Sequence, residues 1–430
     1  MEIYNIITML VVLAAIFAYI NHRLIKLPGS IGIMVLSVVA SLIILALGNV
    51  FPQIFQKIAE GVATIDFQSI VLRIMLSFLL FAAAIQTDIN TLRKERAAII
   101  TFATAGVLMS TLITGGLLYF VINSIGISVD LLYCLLFGAL ISPTDPIAVA
   151  GILNKSKIAS SLKIRISGES LFNDAMGVIL FITFYELAQI GIENFTVWDI
   201  ALLLIREIAG GSILGAALGY LGYWALRSID NYVVEVMITL ALVMGGYLLA
   251  ETIGVSGPLS MVIAGLITGN KVMQEVMSDI TRDYLDKFWE MIDAVMNAIL
   301  FLLIGLSMLV VPFNGTLLFI GCMAILIVLF ARLASVSIPI LLIRKKKVFD
   351  RTAIPILTWG ALRGGISVAL ALAVPKYMYG EMFVSITYIV VLFSIVVQGL
   401  TIGPFAKRIS KTLPDNPEKE PIKNQNQNPV

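Results

Sequence analysis

The sequence predicts an all-α polytopic membrane protein of about thirteen transmembrane helices, arranged as an inverted structural repeat with broken crossing helices. Three observations carry this expectation. The 430 residues are 59% hydrophobic and only 13% charged, with a mean hydropathy of +0.99, outside the range of an ordinary soluble domain. Apolar runs of about twenty residues recur along the chain, the length that crosses roughly 30 Å of hydrocarbon. The fifth and the twelfth run are interrupted by prolines or glycines that stand beside charged residues.

The first run, 3–20, follows Glu2, lacks a basic n-region and has no small-residue cleavage pattern, so it is read as a span and not as a cleaved leader. Further spans are expected at 29–48, 69–87, 97–121, 130–152, 165–190, 197–226, 231–252, 256–269, 288–311, 315–343, 351–374 and 381–404. The 256–269 segment is short and needs tilt or a partner helix. Gly211, Gly215 and Gly219 recur every four residues in the seventh run, a stripe suited to close packing within the protomer or against a neighbour. Cys134 and Cys322 lie in apolar runs and read as packing residues. His22, the one histidine, reads as a loop residue at headgroup level, so no transition-metal ligand set is spelled out.

A formal charge of +2 gives no reason to expect a nucleic-acid partner. Basic residues instead gather in alternate connections. They follow the first span (His22, Arg23, Lys26), the third (Arg93, Lys94, Arg96), the fifth (Lys155, Lys157, Lys163, Arg165) and the ninth (Lys271, Arg282, Lys287). The eleventh is followed by Arg344, Lys345, Lys346, Lys347 and Arg351, and the last by Lys407, Arg408 and Lys411. The positive-inside rule then predicts an outside N-terminus and a cytoplasmic C-terminus in the cell membrane. Residues 412–430 are polar and proline-rich and predict a disordered cytoplasmic tail.

Within the fifth span, 142-SPTDPIAV-149 places Pro143 and Pro146 three apart, which removes backbone donors and predicts a kink or a break. The twelfth contains 360-GALRGGISVAL-370, where Gly364 and Gly365 loosen the helix beside Arg363. An odd number of crossings separates the two, so they run in opposite directions. An inverted repeat of spans one to six and eight to thirteen would produce that relation, with exposed backbone meeting near the midplane.

An ionised side chain at mid-bilayer costs at least about 2.5–3.5 kcal/mol, so Asp145, Glu169, Asp174 and Arg363 are not passive filler. On span six Ser170 and Asp174 share one face, and Glu169 and Asn173 the adjacent one. Oxygen ligands of this kind suit a hard monovalent ion. A proton and a cation would compete for the electron pairs of Asp174, which is what coupled exchange requires. Arg363 is expected to pair with Glu169, either as scaffold or as part of ion binding. Arg332 belongs to the same network or snorkels to the interface. Arg73, Glu186, Arg206, Glu207, Glu235, Glu251 and Asp293 carry no site expectation.

The segments 142-SPTDPIAV-149, 168-GESLFNDAMGV-178 and 362-LRGGISVALAL-372 together resemble the monovalent cation/proton antiporter superfamily, in particular its NhaP/NHE-like sodium/proton antiporter branch. The resemblance runs almost to Lys407. It implies a homodimer whose spans one to three and eight to ten form a dimerisation part. Spans four to six and eleven to thirteen would form the ion-transporting core, with span seven as linker. It makes Asp174 the ion- and proton-binding carboxylate, with Asp145, Ser170 and Thr144 around the monovalent cation, and Asn173, Glu169 and Arg363 as supporting network. Asn173, in place of a second adjacent aspartate, implies an electroneutral exchange of one proton for one cation. The sequence departs from the branch at 80-LFAAAI-85, where Ala82 stands in place of the glutamate of many relatives.

Sodium, and lithium with it, is therefore the expected substrate with the proton, in a role in pH homeostasis. No cofactor, no enzymatic activity and no partner beyond membrane lipids and a second copy are expected. Potassium or several alkali cations are the alternative substrates. A cation channel is the alternative class, and a receptor or assembly subunit finds no supporting motif.

Overall fold

The computed structural model describes residues 3–48, 51–53, 56, 61–62, 65–145, 160–191, 196–273, 277–309, 311–312, 314–342 and 353–410. Pro146, Lys155, Lys157, the basic run 344–347 with Arg351, Lys411 and the tail 412–430 lie outside them. Helix α1 (Ile3–Ile20) runs on as a π turn to Ile25, with His22 exposed in that turn. It is followed by α2 (Gly29–Gly48), α3 (Phe67–Ile85), α4 (Ile89–Ser124), α5 (Leu131–Ile141) and α6 (Ser160–Ile190). Then come α7 (Trp198–Leu226), α8 (Tyr232–Ile253), α9 (Gly257–Ile267, extended by the π turn Thr268–Val272), α10 (Asp279–Ser307) and α11 (Gly315–Leu342). The interrupted pair α12a (Ala353–Trp359) and α12b (Gly365–Leu372) leads to α13 (Gly380–Ile409).

Ten of the described helices are long and apolar enough to cross a bilayer. The other three of the thirteen expected segments are α5, α9 and the α12 pair, the ones whose sequence is broken or short. Hydropathy marks where the bilayer ends and not where a helix ends, and α10 makes the difference visible. Its start at Asp279 precedes the expected 288 because residues 279–287 form a charged, capped helical stretch of about two turns. That stretch carries the Arg282–Asp279 and Lys287–Asp283 ion pairs. Helix starts are capped by the side chains of Asp66, Asp88, Asn231, Ser256 and Ser278, and by a reciprocal Thr196–Asp199 box. Each cap satisfies amide donors that a helix N-terminus leaves open.

One group of helices packs α9 against α3 and α7, and α10 against α2 and α3. A second packs α4 against α5 and α11, α6 against α5 and α4, and α11 against α13. The glycine stripe of α7 faces α9 within the chain, where a Cβ on Gly211 would stand 2.8 Å from the Ser256 carbonyl oxygen. Ser260 Oγ donates to the Gly211 carbonyl at 2.9 Å across the same contact. Cys134 is buried in the core as expected. Cys322 is exposed on α11, so the packing expectation fails for it.

Glycines also let α4 and α5 touch backbone to backbone, which fixes the helix that leads into the first break. A Cβ on Gly115 would lie 2.8 Å from the Cys134 carbonyl oxygen, and one on Gly138 would collide with the Thr111 carbonyl. Overpacking of this kind costs about 1–3 kcal/mol. Gly138→Val is therefore expected to lower the detergent melting temperature and the monodisperse fraction. Gly116→Ala, whose Cβ would meet nothing within 4 Å, is expected to leave both unchanged or raised. Thermal unfolding of the two purified variants checks the pair.

Candidate functional site

Helix α5 ends at Ile141, the Ser142 amide closes it on the Ala139 carbonyl at 3.3 Å, and residues 143–145 continue without helical bonding. The α12 segment breaks likewise between Trp359 and Gly365. The two interruptions meet: the Asp145 amide donates to the Leu362 carbonyl at 2.7 Å, as an isolated antiparallel bridge. Gly364 permits this approach, since a Cβ there would lie 2.6 Å from Asp145 Oδ2. On the other flank Gly177 of α6 makes room for the Pro143 ring.

Backbone freed by a break in hydrocarbon must find partners inside the protein. Arg363 Nη1 donates to the carbonyls of Ser142 at 2.5 Å and Pro143 at 2.9 Å, and its own amide donates to Ser394 Oγ at 2.9 Å. Asn173 holds Thr144 twice: its Nδ2 donates to Thr144 Oγ1 at 2.6 Å, and its Oδ1 accepts from the Thr144 amide at 3.3 Å. Ser170 Oγ donates to the Thr144 carbonyl. At the end of α12a, Arg332 Nε donates to the Leu357 carbonyl at 3.2 Å and Gln398 Nε2 to that of Trp359 at 3.1 Å.

The partner expected for Glu169 was Arg363, and the structure gives Arg332 instead. Arg332 Nη1 and Glu169 Oε1 stand 2.5 Å apart, both buried. Arg363 is drawn away because the carbonyls at the end of α5 need donors that a glutamate cannot supply. A second pair, Arg165–Glu95 at 2.7 Å, with Arg165 buried and Glu95 half-buried, ties the start of α6 to the start of α4. Arg165 had been counted only as a loop charge.

Asp145, Asp174, Ser170, Pro143, Gly364 and Gly365 line one cavity of about 550 Å³. From the meeting point of the breaks its walls extend past α3 and α6 to Gln86, Asp88 and Lys163. The structure thus brings together Asp174, Asp145, Ser170 and Thr144, the last through Ser170 and Asn173. Glu169, Arg332 and Arg363 are assigned to hydrogen bonds around them. The cavity also receives Asp293 and Asn297 of α10 and Ser367 of α12b, which carried no sequence expectation. The signal was the four-residue polar spacing 293-DAVMN-297 within an apolar helix. Ser142, Ser394 and Gln398, which close the backbone bonds, were equally unforeseen.

A helical bundle with two broken segments bonded to one another, and carboxylates facing a cavity at that point, defines the class of secondary transporters with discontinuous helices. The family model described as sodium/hydrogen exchanger, transmembrane, matches residues 11–408, and the chain belongs to that family. It is 45% identical over 94% of its length to the Na(+)/H(+) antiporter NhaP of Pseudomonas aeruginosa, covering 96% of that relative. It is 31% identical to the Na(+)/H(+) antiporter NhaH of Halobacillus aidingensis, with 90% of this chain and 93% of the relative covered. The solved structure of the sodium proton antiporter MjNhaP1 from Methanocaldococcus jannaschii superposes with a TM-score of 0.74 at 20% identity, covering 95% of this chain and 98% of that one. It shares the fold.

Removing one member of a buried ion pair costs about 3–5 kcal/mol, because the remaining charge is stranded. Arg332→Ala is expected to destabilise the folded protein by that order. Arg332→Met combined with Glu169→Gln is expected to recover most of the loss. Thermal melts of the single and double variants in detergent measure the difference.

Proposed function

We propose that the chain is a secondary antiporter that exchanges sodium for protons across the cell membrane by alternating access, with Asp174 as the shared site. The observation that carries this reading is the pairing of Asp174 and Asp145 on one cavity at the point where two broken segments meet. The names of the relatives support sodium as the cation. Lithium is the second substrate, since it presents the same hard monovalent charge to the same oxygens.

Competition at Asp174 couples the two gradients. An empty site carries a bare charge through the protein, and at about 3 kcal/mol that slows the empty crossing by about 100-fold. Loaded with either ion, the site crosses. Asn173 stands beside Asp174 where a second aspartate would add a further titrating group. One carboxylate there takes one sodium or one proton, which supports an electroneutral one-for-one exchange.

The cavity lining reaches the surface at the exposed Gln86 and Asp88, next to the start of α4 that bears Arg93, Lys94 and Arg96. By the positive-inside rule this side is cytoplasmic, so the conformation is open inward, with the N-terminus outside and the C-terminus inside. The packing of α4 to α6 with α11 and α13 supports a core of spans four to six and eleven to thirteen. Spans one to three and eight to ten then form the scaffold that dimerises, with α7 as linker. Residues 412–430 are the cytoplasmic tail.

In sealed liposomes with an internal pH dye, an imposed sodium gradient is expected to shift luminal pH in a direction set by the gradient. Asp174→Asn is expected to abolish the shift with unchanged insertion. Exchange by this variant within about threefold of the original would remove Asp174 from the shared site. An exchange rate that does not change when the clamped membrane potential is set to different values checks electroneutrality.

A further inference from the structure

The α3 wall of the cavity is apolar, formed by Leu76, Leu79, Leu80 and Ala83. The α10 wall is not. Asp293 is half-buried there, and Asn297, one turn on, is 1% exposed. Asn297 Nδ2 turns back to donate to the Asp293 carbonyl at 2.8 Å and to its Oδ1 at 3.1 Å. That leaves Asn297 Oδ1 as an acceptor, and among the described residues no group donates to it. Ser367 of α12b lines the same cavity, is 1% exposed, and its Oγ also has no hydrogen-bond partner. Leaving two such oxygens buried and unpaired costs roughly 1–3 kcal/mol each, so their position asks for a ligand.

We propose that Asp293, Asn297 and Ser367 form a second, weaker station for the transported cation, on the α10 side of the cavity and distinct from the Asp174 site. The proposal rests on the antiporter reading above. One carboxylate with a neutral amide oxygen and a hydroxyl suits a hard monovalent ion better than a divalent one, which gathers more charge and more oxygens. The station recruits sodium from the cytoplasmic mouth and raises its local concentration beside Asp174. It holds the cation only briefly, because its ligands come from α10 and α12b, which the proposed division assigns to the scaffold and to the core. Alternating access would part them, so the ion must pass on before the core moves.

The test uses the purified full chain and sodium alone, in two arms. Equilibrium binding of radioactive sodium needs no turnover. The original protein is expected to bind two ions per protomer, Asp174→Asn one, and Asp174→Asn with Asp293→Asn none. Asn297→Asp, which adds a charge to the station, is expected to tighten sodium binding in the Asp174→Asn background about tenfold. In the liposome arm, Asp293→Asn is expected to raise the sodium KM about tenfold, with kcat within twofold. Ser367→Ala is expected to raise KM about threefold. Absence of sodium binding by Asp174→Asn, or an Asp293→Asn KM within twofold of the original, overturns the station. Absence of sodium-driven proton movement by the original protein overturns the antiporter reading, and the binding arm keeps the two failures apart.

Discussion

Interrupting a helix inside a bilayer leaves backbone groups that lipid cannot satisfy, and the rest of this site is arranged around that debt. The Ser142, Pro143, Thr144 and Leu362 carbonyls and the Thr144, Asp145 and Arg363 amides each bond to a partner on another segment. Arg363 reaches back from the second break to the carbonyls that close the first, so each interruption supports the other. Arginine suits the task because its planar guanidinium offers several donors in fixed directions, whereas lysine is a single flexible point of charge. Asn173 serves on the α6 side for a related reason, giving and receiving one bond each with Thr144. An aspartate there could only accept.

This arrangement separates charges that hold the structure from the charges proposed to carry the ion. Glu169 and Arg332 neutralise one another in the interior and also anchor the end of α12a through the Leu357 carbonyl. Asp145 and Asp174 face the cavity. The two arginines are committed to Glu169 and to backbone, and a permanent bidentate lock on the aspartates would leave a mobile ion little to compete for. Asn173 lies between the functions: it braces the break while leaving the adjacent Asp174 as the carboxylate of that turn.

Much of this was legible from sequence, because membrane constraints are severe. Every long span was found, and the three segments that fall short as uninterrupted helices are those with prolines, glycines or too few apolar residues. The meeting of the breaks followed from an odd number of crossings and from charges too costly to bury idly. Pairing was less legible. Glu169 had two arginines within plausible reach, and the choice depends on which one the carbonyls of Ser142 and Pro143 claim first, a matter of three-dimensional demand that spacing does not encode. Cys322 makes the same point from the lipid side, since an apolar run does not reveal which of its faces is inside.

The departure at Ala82 finds its physical sense in the packing of α3. Ala82 is fully buried and does not line the cavity. Its neighbours show why α3 is drawn tight, since a Cβ on Gly265 of α9 would stand 2.8 Å from the Phe81 carbonyl oxygen and 2.7 Å from the Ala84 side chain. A longer, charged residue at position 82 would have to be accommodated in this closely packed interior. The helix offers the cavity leucines and an alanine, and polar groups on that side come from α10 and from Gln86, Thr87 and Asp88 just past the end of α3. The location of a charge in such a wall is set less by the need for one than by which helix has room to carry it.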